Sequence, residues 1–385
     1  MASESLASSP TPSAGPPPSP NSTTSQRARR RSTLYPGPRP ADPPREGRFP
    51  HLPPTFGRNQ MLDVSQSTRA LLENIVDTFD APIRYAVAYG SGVFEQDGYT
   101  QEKEKPMLDF LFAVTHADHF HSINMHQFPG HYPLHTRLLG SDYVARASAV
   151  GPGVWFNAYV PVNGVTVKYG VTTVDALCTD LLHWDSLYLA GRMHKPVRII
   201  RDDARVRLNQ QVNLVSAARA ALLTLPERFT EAELYTRIAG FSYSGDPRMV
   251  MPMENRSKVG NIVRKQHPQF RDLYGRLVTG LPGVRWAHGK DEMEQEVTTM
   301  AREKHLRKLP RTLVDRLKRK YGPLEEDEQW ARVAADEQLG ATIQKEIASI
   351  VRWPATVQTA KSVLSNGPVK SIKYGAAKLA KWWKS

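Results

Sequence analysis

The sequence has very little cysteine: Cys178 is the only one among its 385 residues. A single cysteine forms no disulfide within the chain and supplies no cysteine-based zinc site. Nothing in the cysteine content therefore indicates an oxidising compartment.

Long apolar runs and acidic residues are also scarce. No apolar run approaches the roughly 18–20 residues that a bilayer-spanning helix needs, so any membrane contact is expected to be peripheral. The chain has 51 Lys and Arg against 38 Asp and Glu, which gives a formal net charge of +13. This excess favours polyanionic partners, which include nucleic acid, nucleotide phosphates and anionic lipid surfaces.

Residues 1–58 differ in composition from the rest of the chain. They hold 14 of the 30 prolines, many serines and a basic cluster at Arg27, Arg29, Arg30 and Arg31. Proline breaks helices and removes backbone donors, so this segment is predicted to be disordered. An arginine-rich, acid-poor N-terminus is typical of a mitochondrial presequence, and an ordinary low-complexity tail is the alternative.

The remaining chain predicts an α+β fold. The stretch STRALLENIVDTF has helical periodicity with Ser67 as a candidate N-cap, and strand-like runs follow it. Helical patterns dominate from Asp175 onward. We expect one domain over residues 59–205, a mostly helical domain over 206–340, and a basic C-terminal segment over 341–385.

Two apolar strand-like runs are joined by a polar loop between Tyr85 and Val114. The first run ends in Gly90, Ser91 and Gly92, and such a turn exposes backbone N–H groups that can hold a phosphate. The second run contains Asp109, which shares a strand face with Leu111 and needs a cation, a metal or N–H donors. A Gly-Ser turn followed by a strand aspartate is typical of polymerase-β-like nucleotidyltransferases, in which the turn holds phosphates and the aspartate binds Mg²⁺. Alternatively, Asp109 only starts its strand and bonds the preceding loop.

A hairpin is predicted around Asn163 and Gly164. A two-residue turn pairs Val162 with Val165 and brings Tyr159 opposite Lys168. Lys168 then lies on a polar face where it can neutralise phosphate charge, unless that face is simply exposed to solvent.

Six blocks of the sequence together resemble a known family: YGSGVF, MLDFLFAV, HSINM, NGVTVKYGV, DLLHWDSLYLAGRMHKPV and IAGFSYSGDPRM. In this order they are similar to the mitochondrial translocator assembly and maintenance family, which comprises the mitochondrial phosphatidate cytidylyltransferases. The likeness extends over roughly residues 69–274 and is weaker towards the C-terminus.

The resemblance implies an enzyme that makes CDP-diacylglycerol and pyrophosphate from CTP and phosphatidic acid with Mg²⁺, for cardiolipin synthesis. It also implies a nucleotidyltransferase domain, a winged-helix-like domain and a C-terminal membrane-binding segment. The protein would be peripheral, on the matrix side of the mitochondrial inner membrane.

On this resemblance, Asp109 and Lys168 are the expected catalytic residues, with Asp109 as the metal ligand. Gly90, Ser91 and Gly92 would hold the β- and γ-phosphates of CTP. Arg192 and Lys195 would balance negative charge on the substrates; otherwise they only complement the end of a helix.

The sequence departs from the usual nucleotidyltransferase pattern at one point. Those enzymes usually carry a second acidic residue on the same strand, two positions away from the one that Asp109 represents here. Met107 and Leu111 stand at those positions. A second metal ligand is therefore expected from elsewhere, with Asp246 and Glu95 as candidates.

Histidines are frequent between His116 and His135, but they show no zincin pattern, and no zinc site is predicted. We assign His121, Asn124 and His131 to loop architecture or to substrate contact.

The C-terminal segment has no acidic residue after Glu346. On a helix its apolar residues form a narrow face beside a broad arc of lysines, which is typical of helices that bind anionic membranes. The expected membrane-binding residues are Lys370, Lys373, Lys378, Lys381, Trp382 and Trp383. The alternative is a helix packed on its own domain with its lysines in water.

Two other functions remain open from the sequence. The basic charge also suits a nucleic-acid-modifying nucleotidyltransferase, although the chain shows no clear base-stacking motif and no nucleic-acid partner is expected. A non-catalytic scaffold that supports the mitochondrial import machinery is the other alternative.

Overall fold

The structure is a computed structural model that describes residues 55–94, 107–249, 257–286 and 290–383, with side chains up to Ser362 and at Ser365. The predicted presequence lies almost wholly outside this range, and so does Glu95. The eight described strands are β1 (Tyr85–Tyr89), β2 (Leu108–Val114), β3 (Trp155–Val162), β4 (Val165–Thr173), β5 (Val197–Arg201), β6 (Arg228–Thr230), β7 (Val284–Trp286) and β8 (Glu292–Gln295).

Helices make up most of the rest of the described chain. They are α1 (Gln66–Asp77), α2 (Ala117–Gln127), α3 (Leu134–Ala149), α4 (Val174–His183), α5 (Leu189–Met193), α6 (Ala204–Leu222), α7 (Glu231–Gly240), α8 (Lys258–Lys265), α9 (His267–Thr279), α10 (Thr299–Leu306), α11 (Arg311–Tyr321), α12 (Asp327–Ala335) and α13 (Leu339–Trp383). The predicted α+β class is confirmed. The first helix is capped by Ser65, whose Oγ accepts from the Thr68 N–H, so the prediction of Ser67 as N-cap was wrong.

The larger sheet is mixed, with the strand order β3-β4-β2-β1-β5. Strand β2 pairs antiparallel with β1 and parallel with β4. Both faces of this sheet are buried: α4 and α6 cover the face that carries Val87 and Leu111, and α1 and α2 cover the face that carries Phe110 and Phe112. Strands buried on both faces read as continuous apolar runs, as β1 and β2 do.

The hairpin of β3 and β4 forms at the predicted turn, with Val162 opposite Val165. The predicted pairing of Tyr159 with Lys168 is wrong, because the register shifts between Asn157 and Val160. This shift is a β-bulge that includes Tyr159, whose φ is 54°. Its one extra residue turns the side chains that precede it in β3 to the opposite face of the sheet.

The His-rich segment is not the loop that we expected. It forms α2, a short 3₁₀ turn and the start of α3. Asn124, His131 and Asn157 all bond the buried Tyr169 hydroxyl, and the His121 ring bonds Tyr132. These polar side chains therefore join α2 to the hairpin inside the protein.

The second part of the chain combines helices α6 to α12 with a small antiparallel sheet of order β6-β8-β7. Polar side chains cap the N-termini of two of these helices. Asp203 is the N-cap of α6, and Thr230 and Glu233 form a capping box at the start of α7. Within the described residues, none of the helices has the length and apolar character that crossing a membrane requires.

Helix α13 packs on the first part of the chain through Lys361. The Lys361 ammonium donates to four backbone carbonyls at 2.7–3.2 Å: those of Ala147 and Ser148 in the last turn of α3, and those of Val150 and Val154 after it. Beside it, a Cβ on Gly151 would lie 2.7 Å from the Val357 side chain, so only glycine permits this approach. The predicted membrane-binding side chains further along α13 lie outside the side chains that the structure describes.

Replacing Lys361 by Met is expected to destabilise the protein by about 1–3 kcal/mol, because buried carbonyl oxygens lose their donor. Chemical denaturation measures the change. Lys345→Met is the matched control on the same helix: Lys345 is exposed, so a change within about 0.5 kcal/mol is expected. Equal effects of the two substitutions would contradict the proposed anchoring.

Acid is expected to destabilise the protein progressively below about pH 6.5, because burial lowers the pKa of His121 and of His194 to about 3. Between pH 6.5, the ordinary pKa of histidine, and about pH 3, the pKa of these buried histidines, the unfolded chain binds more protons than the folded one. The free energy of unfolding therefore falls as the pH falls. Each buried histidine accounts for about 2 kcal/mol at pH 5.

Denaturation midpoints between pH 7.5 and pH 4.5 test this. His121→Gln should flatten the profile, whereas replacement of the exposed His116 by Gln should leave its slope unchanged. A His121→Gln profile that parallels the wild type would contradict the assignment.

Candidate active site

Three neighbouring strands bring Tyr89, Asp109 and Lys168 side by side. Tyr89 pairs with Asp109 across β1 and β2, and Asp109 pairs with Lys168 across β2 and β4. The Lys168 Nζ lies 3.2 Å from the Asp109 Oδ1, and the two side chains are 32% and 23% exposed. The aspartate in the apolar strand therefore has the cation that its burial requires, and both groups remain accessible.

The charge of Lys168 is fixed by its surroundings. Burial by itself lowers the pKa of Lys168, but the Asp109 carboxylate and the nearby Tyr89 and Tyr188 hydroxyls outweigh burial and raise that pKa above its ordinary value. The Nζ also lies 4.8 Å from the centre of the Phe156 ring, which the bulge in β3 brings to this face. Lys168 is therefore cationic at neutral pH.

The Gly-Ser-Gly turn lies directly beside the carboxylate. Gly90 has a φ of 91°, and its carbonyl accepts from the Val93 N–H at 3.3 Å. A Cβ at Gly90 would lie 3.4 Å from the Asp109 Oδ2, so glycine keeps this space narrow but open. Ser91 is exposed and Gly92 is half-buried. The turn and Asp109, predicted as one site, are thus brought together.

Arg192 approaches the same site from α5. Its guanidinium carbon lies 4.0 Å from the centre of the Tyr89 ring, and its Nε is buried without a hydrogen-bond partner among the described residues. Burial is the main cause that raises the pKa of Tyr89 to about 12, so this ring stays neutral beneath the guanidinium. Such stacking holds Arg192 while leaving its outer nitrogens for a ligand.

Buried hydrogen bonds to its backbone hold α5 in place. The Gln210 amide donates to the Met193 carbonyl at 2.6 Å, and the Asn213 amide donates to the Ala190 carbonyl at 3.1 Å. The Tyr274 hydroxyl donates to the His194 carbonyl at 2.8 Å. Because these partners come from α6 and α9, the helical part of the chain fixes the position of Arg192.

Lys195 lies deeper than Arg192 and is only 2% exposed. Its Nζ donates to the Gly191 carbonyl and to the Ser242 Oγ, both at 2.6 Å. Burial, followed by the charges of Arg192 and Lys258, holds the pKa of Lys195 well below its ordinary value. Lys195 thus ties the end of α5 to the segment after α7.

Asp246, a candidate for the second metal ligand, is buried and bonded to Arg248. The Arg248 Nη2 lies 2.7 Å from the Asp246 Oδ2, and the Arg248 Nε lies 3.0 Å from the Oδ1. Burial raises the pKa of Tyr188, while the charges of Arg248 and Lys168 oppose that rise. The charges of Lys168, Arg248 and Asp246 therefore all act on the Tyr188 hydroxyl.

The described residues contain no group of three or more His, Cys, Asp or Glu side chains that is placed to hold a metal ion. Mg²⁺ in nucleotide sites is often held by one or two carboxylates, with substrate phosphates and water as further ligands. Asp109 suits that donor set, because its Oδ2 faces the narrow space left by Gly90. Asp246 is less suited, because Arg248 occupies both of its oxygens.

Sequence reasoning missed Tyr89 and Tyr188 as members of this site. Tyr89 directly precedes the Gly-Ser-Gly turn, a position that marks it as a neighbour of the turn, although the apolar pattern indicates a core residue. For Tyr188 no local signal exists, since only the packing of α5 brings it near Lys168.

Comparison with known proteins gives a consistent result. The family model described as "Phosphatidate cytidylyltransferase, mitochondrial" matches residues 72–381. A protein of that name from Danio rerio is 40% identical over 331 residues, which cover 84% of this chain and 97% of the relative. The protein of that name from Xenopus laevis is 37% identical over 332 residues, which cover 84% of this chain and 98% of the relative. The one from Saccharomyces cerevisiae is 41% identical over 231 residues, which cover 59% of this chain and 60% of the relative.

The resemblance drawn from the six sequence blocks is thereby confirmed. A match over most of the chain, together with a strand aspartate beside a Gly-Ser-Gly turn, leads to one assignment. The chain belongs to the mitochondrial phosphatidate cytidylyltransferase family.

Proposed function

We propose that this protein transfers the cytidylyl group of CTP to phosphatidic acid, making CDP-diacylglycerol and pyrophosphate. The observation that carries the proposal is the alignment of Asp109 and Lys168 beside the Gly90 turn. This alignment places a carboxylate for a metal and a cation beside a glycine turn of the kind whose backbone N–H groups can hold a phosphate. These are the groups that a triphosphate needs.

The reaction needs alignment and charge neutralisation more than proton transfer. A phosphate oxygen of phosphatidic acid attacks the α-phosphorus of CTP, a new P–O bond forms, and the bond to the departing pyrophosphate breaks. The attacking oxygen is already ionised near neutral pH, so no strong general base is required. The site residues therefore act by holding two anions in contact and by balancing the charge of the transition state.

Individual residues take distinct parts in this scheme. Gly90, Ser91 and Gly92 hold the β- and γ-phosphates, and Lys168 balances charge at the reacting phosphate. Asp109 holds Mg²⁺, which when bound supplies positive charge to the triphosphate. Arg192 contributes a further cation at the surface of the site.

Lys195 supports the same scheme from below. Its buried Nζ is held by the Gly191 carbonyl and the Ser242 hydroxyl, and burial lowers its pKa, so its part in the scheme is to hold α5, and with it Arg192, in place. A bound phosphate would favour the protonated form of this lysine, because a nearby anion offsets the cost of burying the charge.

The architecture supports the finer fold assignment that we propose. A mixed sheet with the acidic strand beside the glycine turn is what a polymerase-β-like nucleotidyltransferase domain requires. The order α6, β6, α7, α8, α9, β7, β8 with a three-stranded sheet is consistent with a winged-helix-like domain.

We further propose that the protein is peripheral on the matrix side of the mitochondrial inner membrane and supplies cardiolipin synthesis. Its lipid substrate requires a membrane surface, and the basic end of α13 has the composition for anionic lipid. The alternatives of a nucleic-acid-modifying enzyme and of a non-catalytic scaffold lack a comparable observation.

The purified full chain, incubated with labelled CTP, phosphatidic acid vesicles and Mg²⁺, should make labelled CDP-diacylglycerol. Asp109→Asn should lower kcat on the order of 100-fold, because the metal loses its ligand and Lys168 loses its partner. Removal of Mg²⁺ with a chelator should stop the reaction, and added Mg²⁺ should restore it.

Asp118→Asn is the matched control, since Asp118 is exposed in the first turn of α2. It should leave the rate unchanged, and circular dichroism should show both variants folded. Wild-type rates in Asp109→Asn would overturn the metal assignment, and an inactive wild type would overturn the proposed function.

Truncation after Gly367 should weaken sedimentation with vesicles that contain cardiolipin or phosphatidic acid. Each lysine near an anionic surface contributes about 1 kcal/mol, so replacing Lys370, Lys373, Lys378 and Lys381 by Gln should produce most of the same loss. Replacing Trp382 and Trp383 by Ala separates the aromatic contribution. Unchanged sedimentation of the truncated protein would contradict the membrane role.

A further inference from the structure

Asp180 on α4 is a buried carboxylate that accepts five hydrogen bonds, although it is only 4% exposed. Its Oδ1 accepts from the Ser186 N–H at 2.8 Å, the Ser186 hydroxyl at 2.9 Å and the Leu187 N–H at 2.9 Å. Its Oδ2 accepts from the Leu189 N–H at 3.0 Å and the Ala190 N–H at 2.9 Å. One side chain therefore holds nearly every backbone donor of the segment that leads into α5.

This segment has an unfavourable backbone conformation. Trp184 and Leu187 have φ values of 58° and 53°, in the left-handed region that residues with a Cβ rarely adopt. Both side chains are fully buried. Such strain persists only where the surroundings over-determine the conformation, and the bonds to Asp180 do so here.

The segment held by Asp180 carries two members of the candidate active site. Tyr188 lies between Leu187 and Leu189, whose N–H groups bond the two different oxygens of the carboxylate. The Tyr188 carbonyl in turn accepts from the Arg192 N–H at 3.2 Å. Asp180 thus holds the backbone from which the Tyr188 side chain extends and where the first turn of α5 begins, whereas the bonds from α6 and α9 hold the end of α5.

We infer that Asp180 is a positioning residue for cytidylyl transfer, which acts by fixing Tyr188 and Arg192 against the Asp109–Lys168 pair. Asp180 is itself buried beneath the segment and reaches no reacting group. This inference rests on the proposed function and adds to it a residue whose effect passes through Arg192.

Asp180→Asn tests the inference at constant side-chain shape. Its amide nitrogen would face the N–H groups of Leu189 and Ala190, so those two bonds are lost. Because small misplacements of positioning groups cost about 100-fold in rate, kcat/KM for CTP should fall on the order of 100-fold.

Asp203→Asn is the matched control. Asp203 is also buried, at 7% exposure, and it also accepts backbone N–H groups, those of Arg205 and Val206, at the start of α6. It pairs with Arg84, which precedes β1, whereas the candidate active site lies at the other end of that strand. Both variants should lower the melting temperature, but the folded Asp203→Asn protein should keep kcat/KM within about threefold of wild type.

A double-mutant cycle distinguishes positioning from general destabilisation. If Asp180 acts through Arg192, Asp180→Asn should lower kcat/KM much less in an Arg192→Ala background than in the wild type. Asp203→Asn should have the same small effect in both backgrounds. Full additivity of Asp180→Asn with Arg192→Ala would overturn the inference.

A milder variant covers the case in which Asp180→Asn does not fold. Ser186→Ala removes one of the five bonds and should lower kcat/KM about 3- to 10-fold, again less in the Arg192→Ala background. An unchanged kcat/KM in Ser186→Ala would then overturn the inference. A wild-type protein that makes no CDP-diacylglycerol would instead overturn the proposed function, so the two failures are distinguishable.

Discussion

The parallel pairing of β2 with β4 is the constraint on which the candidate active site depends. It sets Asp109 beside Lys168, although the two are far apart in the sequence, and it leaves both side chains accessible at one face of the sheet. A slip of one residue would turn Lys168 to the opposite face and leave the carboxylate without its cation. The helices on both faces, by burying the sheet, make such a slip costly.

Around this pair the molecule accumulates positive charge. Lys168 comes from β4 and Arg192 from α5, and the buried Lys195, just after α5, is held by neutral acceptors. The neighbouring acid Asp246 is already engaged by Arg248. The site therefore has an excess of cations that a triphosphate and a second phosphate would balance, which is consistent with transfer between two anionic substrates.

The two parts of the chain contribute different things to one site. The sheet supplies Asp109, Lys168 and the glycine turn, whereas buried bonds from α4, α6 and α9 fix α5 and with it Arg192. Helix α13 then ties the parts together through Lys361. Because separate contacts hold the Asp109–Lys168 pair and Arg192, the position of Arg192 relative to that pair depends on how α5 packs against the sheet.

The sequence by itself determined the features that rest on local spacing and turn chemistry. These are the glycine turn, the strand face of Asp109, the hairpin at Asn163 and the family. Only the tertiary structure decided the bulge at Tyr159, the depth of Lys195, and the hydrogen bonds of Asp180. The physical reason is that backbone periodicity fixes which side chains share a face, whereas the partners of buried polar groups come from distant segments that meet only when the chain packs.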